Sequence, residues 1–288
     1  MFEKKYIFFD IDGTILTAEG KVPNSTKEAL NLVQKNGHEI FINTGRSRNI
    51  IPQVLEGLDF DGIVCGTGAH AEYHGTDIFK KSFSKDQIDR VIGFSIEHNI
   101  PMIMSTESEC VGSKADLLLY LELFSGGAVK ADEVTSLDDI VNDNLLATME
   151  PVIADDDKPN FSNKYKGVSD FIFINSPFTV AEFNKLIGPD INVGKASFKE
   201  PDEYSGEITL AECTKASGID EVLAHLGARL EDSIAIGDGF NDVEMLKHAH
   251  LSIAMGNSPD EIKKLSDYVT DNIYSDGVYN ALKHFKLI

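Results

Sequence analysis

Short, continuous apolar runs alternate with helical patterns in the first third of the chain. Tyr6 to Phe9 is an apolar run of the kind found in strands that are buried on both faces. Glu39 to Asn43 and Gly62 to Cys65 predict two further strands. Between them, the apolar stripe from Ala29 to Val33 predicts one helix, and Ser47 to Leu58 predicts another. Strands that alternate with helices indicate a parallel sheet built from βαβ units.

The same alternation returns in the last third of the chain. Predicted helices and strands follow one another over Thr214–Gly227, Ser233–Ile236, Asp242–His248 and Leu251–Met255. The middle, roughly Phe83 to Ile191, differs because its helices and strands are separated by loops rich in Gly, Asp and Asn. An inserted domain between two halves of one sheet accounts for this change of pattern.

The predicted fold class is therefore α/β. A Rossmann-like, doubly wound parallel sheet is expected from residues 1–82 and 197–288, and residues 83–196 are expected to form an inserted α/β cap domain. The two linkers fall near Ser82 and Ser197, in polar stretches suited to hinges.

Composition narrows the classes of function. The 288 residues carry a formal net charge of −21, which disfavours nucleic acids and anionic membranes as partners because the whole molecule repels polyanions. The three cysteines have no CxxC spacing, which argues against a zinc knuckle or a disulfide framework and fits a reducing compartment. With no apolar stretch long enough to span a bilayer, a soluble, cytoplasmic protein is expected.

Polar side chains follow three of the predicted core strands. Asp10, Thr44 and Asp238 each end a strand, and each is followed by Gly within three residues. The carboxyl ends of parallel strands meet at one edge of a sheet, where ligands bind, so these groups can converge. Carboxylates of Asp10, Asp238 and Asp242, with no neighbouring His or Cys, favour a hard cation such as Mg²⁺. For the Asp-x-Asp-Gly segment by itself, a simple turn is the alternative.

Lys215 lies at the start of a predicted helix, where its charge opposes the helix dipole. A lone lysine there is normally a solvated side chain. Beside an anion site, the ammonium and the helix amino end can both face a phosphate. Arg46 and Arg48 invite the same interpretation less strongly.

These motifs resemble, in order, the four motifs of the haloacid dehalogenase-like superfamily. The matching segments are Asp10-Ile11-Asp12-Gly13-Thr14, Thr44-Gly45-Arg46, Lys215 with Gly218, and Gly237-Asp238-Gly239-Phe240-Asn241-Asp242. The Cof-type phosphatases, whose α/β cap is inserted between the second and third motifs, are the most similar subgroup. One departure is Gly66-Thr67-Gly68-Ala69, where Cof-type chains usually have Asn-Gly-Ala.

The resemblance implies roles for particular residues. Asp10 is the implied nucleophile, which forms an aspartyl-phosphate, and Asp12 is the implied general acid and base. The implied phosphate contacts are Thr44, Gly45, Lys215 and Asn241. The implied Mg²⁺ ligands are Asp10, Asp12 through its carbonyl, Asp238 and Asp242, directly or through water. Arg46 and Thr67 are candidate substrate contacts.

The sequence thus predicts a Mg²⁺-dependent phosphatase of small phosphorylated metabolites, by resemblance sugar phosphates, nucleotides or pyridoxal phosphate. An Asp at position 12 distinguishes phosphatases from superfamily branches that lack a carboxylate there. A phosphomutase on the same scaffold is one alternative. A non-catalytic module that binds Mg²⁺ or a metabolite is the other.

Two further groups of residues could bind a metal ion, but each has a simpler explanation. His70 and His74 could ligate a metal, but the neighbouring glycines favour a turn with surface histidines. Asp155 to Asp157 could bind Ca²⁺, although a solvated acidic loop is the expectation.

Overall fold

A computed structural model describes residues 3–106, 109–124, 151–153, 165–195 and 203–288. The chain divides into two compact units. The first, here the core unit, comprises residues 1–46, 52–80 and 213–288, and the second, here the inserted unit, comprises residues 47–51 and 81–212. The predicted loop at Asp155–Asp157 and the predicted linker at Ser197 lie outside the described residues.

Strands and helices are numbered in chain order through the described residues. The strands are β1 (Tyr6–Phe9), β2 (Glu39–Asn43), β3 (Gly62–Cys65), β4 (His70–Tyr73), β5 (Thr76–Lys80), β6 (Met102–Ser105), β7 (Cys110–Gly112), β8 (Pro151–Ile153), β9 (Asp170–Phe173), β10 (Ile191–Lys195), β11 (Gly206–Leu210), β12 (Ser233–Gly237), β13 (Leu251–Ala254) and β14 (Tyr268–Val269). The helices are α1 (Asn24–Lys35), α2 (Lys85–His98), α3 (Lys114–Phe124), α4 (Val180–Leu186), α5 (Lys215–Leu226), α6 (Val243–His248), α7 (Asp260–Leu265) and α8 (Gly277–His284).

The core unit contains an eight-stranded sheet in the order β14-β13-β12-β1-β2-β3-β4-β5. The strands from β14 to β3 pair in parallel, and the β4–β5 hairpin extends the sheet with antiparallel pairs. In the centre, Phe8 of β1 is in register with Ala235 on one side and Phe41 on the other. The predicted Rossmann-like α/β class is confirmed, and the carboxyl ends of β1, β2 and β12 share one edge.

The hydrophobic core on this sheet comes from continuous apolar strands. Phe8 and Phe41 are fully buried and stack with ring centroids 5.0 Å apart. Val64 of β3 and Ile219 of α5 belong to the same cluster, so this helix is packed directly on the sheet. Burial of aromatic and branched side chains on this scale is the main source of stability for such a sheet.

The inserted unit contains its own six-stranded sheet, in the order β10-β11-β9-β6-β7-β8. All of its neighbouring pairs are antiparallel except β7 with β8. Ser84 begins α2 and Thr179 begins α4, each with a reciprocal capping box that satisfies backbone donors at the helix start. Because β11 pairs with β9 and β10, residues 203–212 lie in the inserted unit, whereas the sequence-based boundary at 197 assigned them to the core.

One predicted helix is wrong. Residues from Ser47 to Leu58 form two 3₁₀ turns, Arg48–Ile50 and Gln53–Leu58, instead of a continuous α-helix. Pro52 explains the break, because its ring disfavours helical geometry at the preceding residue and it has no N–H to donate. Ile51 accordingly has extended backbone angles (φ −70°, ψ 125°).

None of the helices in the described part of the chain is both long enough and apolar enough to cross a bilayer.

The aromatic stack in the core sheet leads to a first prediction. Phe41→Ala should lower the free energy of unfolding by about 3–5 kcal/mol, because it removes a fully buried ring and leaves a cavity beside Phe8. Urea unfolding followed by circular dichroism measures the change. Val54→Ala is the control, since that side chain is exposed, and it should shift stability by less than about 0.5 kcal/mol. Equal effects of the two substitutions would contradict the packing described here.

Candidate active site

Lys215, the first residue of helix α5, lies between two carboxylates. Lys215 Nζ donates to Asp10 Oδ1 at 2.5 Å and to Asp242 Oδ1 at 2.6 Å. All three side chains are almost completely buried. The sequence-based alternative of a solvated lysine is therefore wrong, and the ammonium lies at the centre of the predicted cluster.

Three local features fix the start of α5. Thr214 caps the helix by accepting the backbone N–H of Ser217 at 2.9 Å. Asn43, the last residue of β2, donates through Nδ2 to the carbonyl of Lys215 at 2.9 Å. The turn after β3 also approaches this point: Gly68 has φ +86°, and a Cβ there would lie 2.0 Å from the carbonyl oxygen of Thr214. Only glycine fits such an approach, so the position of Lys215 is tightly determined.

Asp238 follows β12 and is held by two hydrogen bonds. Thr14 donates its hydroxyl to Oδ1 at 3.2 Å, and Asn257 donates its amide to Oδ2 at 3.1 Å. Asn257 also donates to the carbonyl of Gly13 at 2.9 Å, so one side chain joins the loop after β1 to the end of β12. Gly13 has φ +84°, and a Cβ there would lie 2.2 Å from Asp238 Oδ2, so the loop can pass over this carboxylate only with glycine.

Asp242 uses both of its carboxylate oxygens. While Oδ1 accepts from Lys215, Oδ2 accepts the backbone N–H groups of Asp238 and Gly239, each at 2.9 Å. These bonds close the 3₁₀ turn Phe240–Asp242 onto the end of β12. The Gly-Asp-Gly-x-Asn-Asp motif is therefore a compact turn that presents Asp238 and Asp242 side by side.

The buried carboxylates outnumber the buried cation. Burial, with the charge of Asp242 next in size, raises the pKa of Asp10 well above its usual range. Burial and the same neighbour raise the pKa of Asp238 to about 7. Burial alone lowers the pKa of Lys215, but its two carboxylate partners outweigh this effect and the net pKa is raised, so the lysine is charged. The cluster is therefore short of positive charge.

The oxygen atoms of this cluster could hold a metal ion. One carboxylate oxygen from each of Asp10, Asp238 and Asp242 lies within 4.8 Å of the others. An all-oxygen donor set and a deficit of positive charge both suit a hard divalent cation.

Asp12 and Arg46 form a two-pronged ion pair. Arg46 Nε lies 2.8 Å from Asp12 Oδ2, and Nη2 lies 2.9 Å from Oδ1. The side chain of Asp12 is 52% exposed, unlike the buried Asp10 two residues earlier. The sequence makes Arg46 a candidate substrate contact, and in this structure its guanidinium also fixes the orientation of the Asp12 carboxylate.

The remaining predicted residues lie on the loops that follow β2, β3 and β12. Thr44 is buried, and its hydroxyl oxygen accepts the backbone N–H of Arg46 at 3.2 Å. Thr67 donates its N–H to the carbonyl of Thr44 at 3.2 Å and has φ +53°, which is unusual for a β-branched residue. Gly45 lies in the bend after Thr44, and Asn241 lies in the turn directly before Asp242; both are partly exposed.

Sequence reasoning missed two residues of this network. Asn43 was predicted only as the end of a strand and Asn257 was given no role, yet they hold Lys215 and Asp238 in place. Asn43 ends β2 and Asn257 lies three residues after β13, so both lie where the predicted residues do, at the carboxyl end of a core strand, and that position was the available signal. His70 differs from the prediction in another way: it is 6% exposed and not a surface residue, while His74 is exposed as expected.

Comparison with known proteins gives consistent results. The family model for haloacid dehalogenase-like hydrolases matches residues 7–282. YkrA of Bacillus subtilis (strain 168) is 28% identical over 291 residues, which cover 99% of each chain. The 5-amino-6-(5-phospho-D-ribitylamino)uracil phosphatase YcsE of the same organism is 26% identical, over 98% of this chain and 96% of YcsE. The solved structure of a subclass IIB sugar phosphatase superposes with a TM-score of 0.76 at 28% identity, over 99% of this chain and 100% of that one.

The buried lysine leads to a second prediction. Lys215→Met should lower the free energy of unfolding by about 3–5 kcal/mol in metal-free buffer, because Asp10 and Asp242 lose their shared partner. Adding Asp10→Asn should restore part of that loss by removing one buried charge. Urea unfolding of both variants is compared with Lys247→Met, which alters an exposed lysine. If Lys215→Met lowers the free energy of unfolding no more than Lys247→Met does, the buried ion pairs of Lys215 contribute nothing to stability.

Proposed function

This chain belongs to the haloacid dehalogenase-like hydrolase family and is a hydrolase of the phosphatase type, and we propose that it cleaves phosphomonoesters of small metabolites with Mg²⁺ through an aspartyl-phosphate on Asp10. The observation that carries the proposal is the buried Lys215 ammonium, bonded to Asp10 and Asp242 beside Asp238. A nucleophilic carboxylate, a fixed cation and a carboxylate cluster are the parts that phosphoryl transfer needs.

The donor set fits Mg²⁺. Carboxylates of Asp10, Asp238 and Asp242, with the backbone carbonyl of Asp12, are the proposed ligands. Burial, and after it the charge of Asp242, raises the pKa values of Asp10 and Asp238, and a divalent cation would offset both effects. When bound, Mg²⁺ supplies positive charge that offsets the repulsion between phosphoryl oxygens and these carboxylates.

In the proposed first step, a carboxylate oxygen of Asp10 attacks phosphorus and the bond from phosphorus to the leaving oxygen breaks. Asp12 donates its proton to that oxygen, so the product leaves as an alcohol. Arg46 is the proposed positioning residue for the ionised form of Asp12, which acts as the base in the second step, since its two bonds hold both carboxylate oxygens. Asp12 is exposed enough to meet a leaving group, whereas Asp10 is shielded from water.

In the second step, water attacks phosphorus and the bond to Asp10 breaks. Asp12, now a carboxylate, takes the proton of that water, and inorganic phosphate is released. The proposed contacts to the phosphoryl oxygens throughout are Thr44, Gly45, Lys215 and Asn241. Lys215 is held in place before any substrate binds, so no free energy is spent on orienting its ammonium group during the reaction.

The proposed substrates are small phosphorylated metabolites: sugar phosphates, nucleotides or pyridoxal phosphate. Two relatives are named for a sugar phosphate and a ribitylamino-uracil phosphate, both small. All the proposed catalytic residues lie in the core unit. We therefore assign the selection of substrate to the inserted unit, with Thr67 as a candidate contact from the core unit.

Replacement of the nucleophile gives a third prediction. Asp10→Asn should fold like the parent, because the amide has the same shape, but should lose more than about a thousandfold in kcat, equal to about 4 kcal/mol in barrier. Phosphate release from p-nitrophenyl phosphate measures the activity. Asp220→Asn, an exposed substitution in α5, is the matched control. Asp10→Asn activity within tenfold of the parent would rule out this nucleophile.

Metal removal gives a fourth prediction. Exhaustive chelation should abolish activity, and Mg²⁺ should restore it, whereas Ca²⁺ should restore little because its larger coordination shell misplaces the phosphoryl group. Asp238→Asn should raise the Mg²⁺ concentration for half-maximal activity by more than about tenfold, since a charged ligand is lost, and Asp220→Asn should not. Full activity in metal-free protein, verified by elemental analysis, would contradict the proposal.

A further inference from the structure

A second group of metal-ligating side chains lies on the β4–β5 hairpin, outside the carboxylate cluster. A ring nitrogen of His70 and one carboxylate oxygen each from Glu72 and Asp77 lie within 4.8 Å of one another. We propose that these three residues form a binding site for a divalent transition-metal ion of the Zn²⁺ class. None of them takes part in the proposed phosphatase mechanism.

The register of the hairpin brings the two carboxylates together. Glu72 of β4 lies directly opposite Asp77 of β5, where a register shift interrupts the ladder. His70 precedes Glu72 by two residues and therefore shares its face of the sheet. Like charges opposite each other in an antiparallel pair are destabilising. Positive charge on this face of the hairpin therefore stabilises the pairing of β4 with β5.

The imidazole is oriented toward the two carboxylates. His70 is 6% exposed, and its Nδ1 lies 3.6 Å from the buried thiol of Cys65. Its Nε2 lies 2.7 Å from Asp77 Oδ1 and 3.6 Å from Glu72 Oε1. A fixed ring with a second partner behind it is typical of a histidine that ligates metal.

The spacing and the donor types select the class of metal. Zinc bonds of about 2.0–2.1 Å in a tetrahedron place neighbouring ligand atoms about 3.3 Å apart. The two distances from His70 Nε2, 2.7 Å and 3.6 Å, bracket that value. One nitrogen and two oxygens favour Zn²⁺ or Co²⁺ over Mg²⁺, and three protein ligands leave a position for water.

A lysine on the same face competes with the metal. Lys80 is the cross-strand partner of His70, and its ammonium lies 3.5 Å from Asp77 Oδ2. Without metal, Lys80 supplies positive charge to the hairpin. Its long side chain can swing into solvent, so metal binding displaces it. Two substitutions should therefore change the metal affinity in opposite directions. His70→Gln removes a ligand and should lower it, whereas Lys80→Met removes a competitor and should raise it.

The test uses the full chain carrying Asp238→Asn, which is expected to weaken metal binding at the carboxylate cluster. Calorimetric titration should find one bound equivalent of Zn²⁺, and His70→Gln should weaken its affinity by more than about a hundredfold. Loss of a residue that only supports a metal ligand already lowers metal affinity by about 10–100-fold. Lys80→Met should bind Zn²⁺ more tightly. With Co²⁺, the visible absorption band of a nitrogen-ligated ion should be present and should disappear in His70→Gln.

His248→Gln is the matched control. His248 Nε2 also lies 2.7 Å from a carboxylate, Asp220 Oδ1, but that pair is not part of a three-ligand group among the described residues. Zn²⁺ binding should be unchanged in this variant. Should His70→Gln fail to fold, Glu72→Gln replaces it with the same expectation. Unchanged Zn²⁺ affinity in His70→Gln, or no bound equivalent at all, would overturn the proposal.

Discussion

The position of one buried ammonium group organises the core unit. Lys215 can reach Asp10 and Asp242 together because β1 and β12 are neighbours in the sheet. Removing three charges from water costs free energy unless each has a partner. The strand order, the start of α5 and the turn after β12 must therefore together place the three side chains within hydrogen-bonding distance. The lysine still neutralises only part of the carboxylate charge, which is why the same cluster suits a divalent cation.

The sequence was sufficient to predict the fold class and the edge of the sheet at which charged residues gather. This was possible because each signal is local: an apolar run predicts a buried strand, and Asp10 or Asp238 directly follows such a run. The carboxyl ends of parallel strands then meet without any need to know distances. The motif resemblance added roles, but the convergence of these carboxylates follows from strand direction alone.

The features that were missed depend on contacts between distant parts of the chain. The pairing of Arg46 with Asp12 and the bridge from Asn257 to Gly13 have no signal in spacing, because they exist only after the loops have folded together. The residues that form β11 were assigned to the core by the boundary at 197, because nothing local shows which sheet they join. At Pro52 the error was different: a helical pattern of apolar residues was given more weight than a residue that ends helices.

The central position of β1 also has a consequence for synthesis of the chain. Its neighbour β2 follows closely, but its other neighbour, β12, is made only after the whole inserted unit. At about 5–20 residues per second, one edge of β1 stays unpaired on the ribosome for roughly 10–45 s. An open strand edge invites pairing with other chains, so folding of this protein is most vulnerable to aggregation before its last quarter emerges.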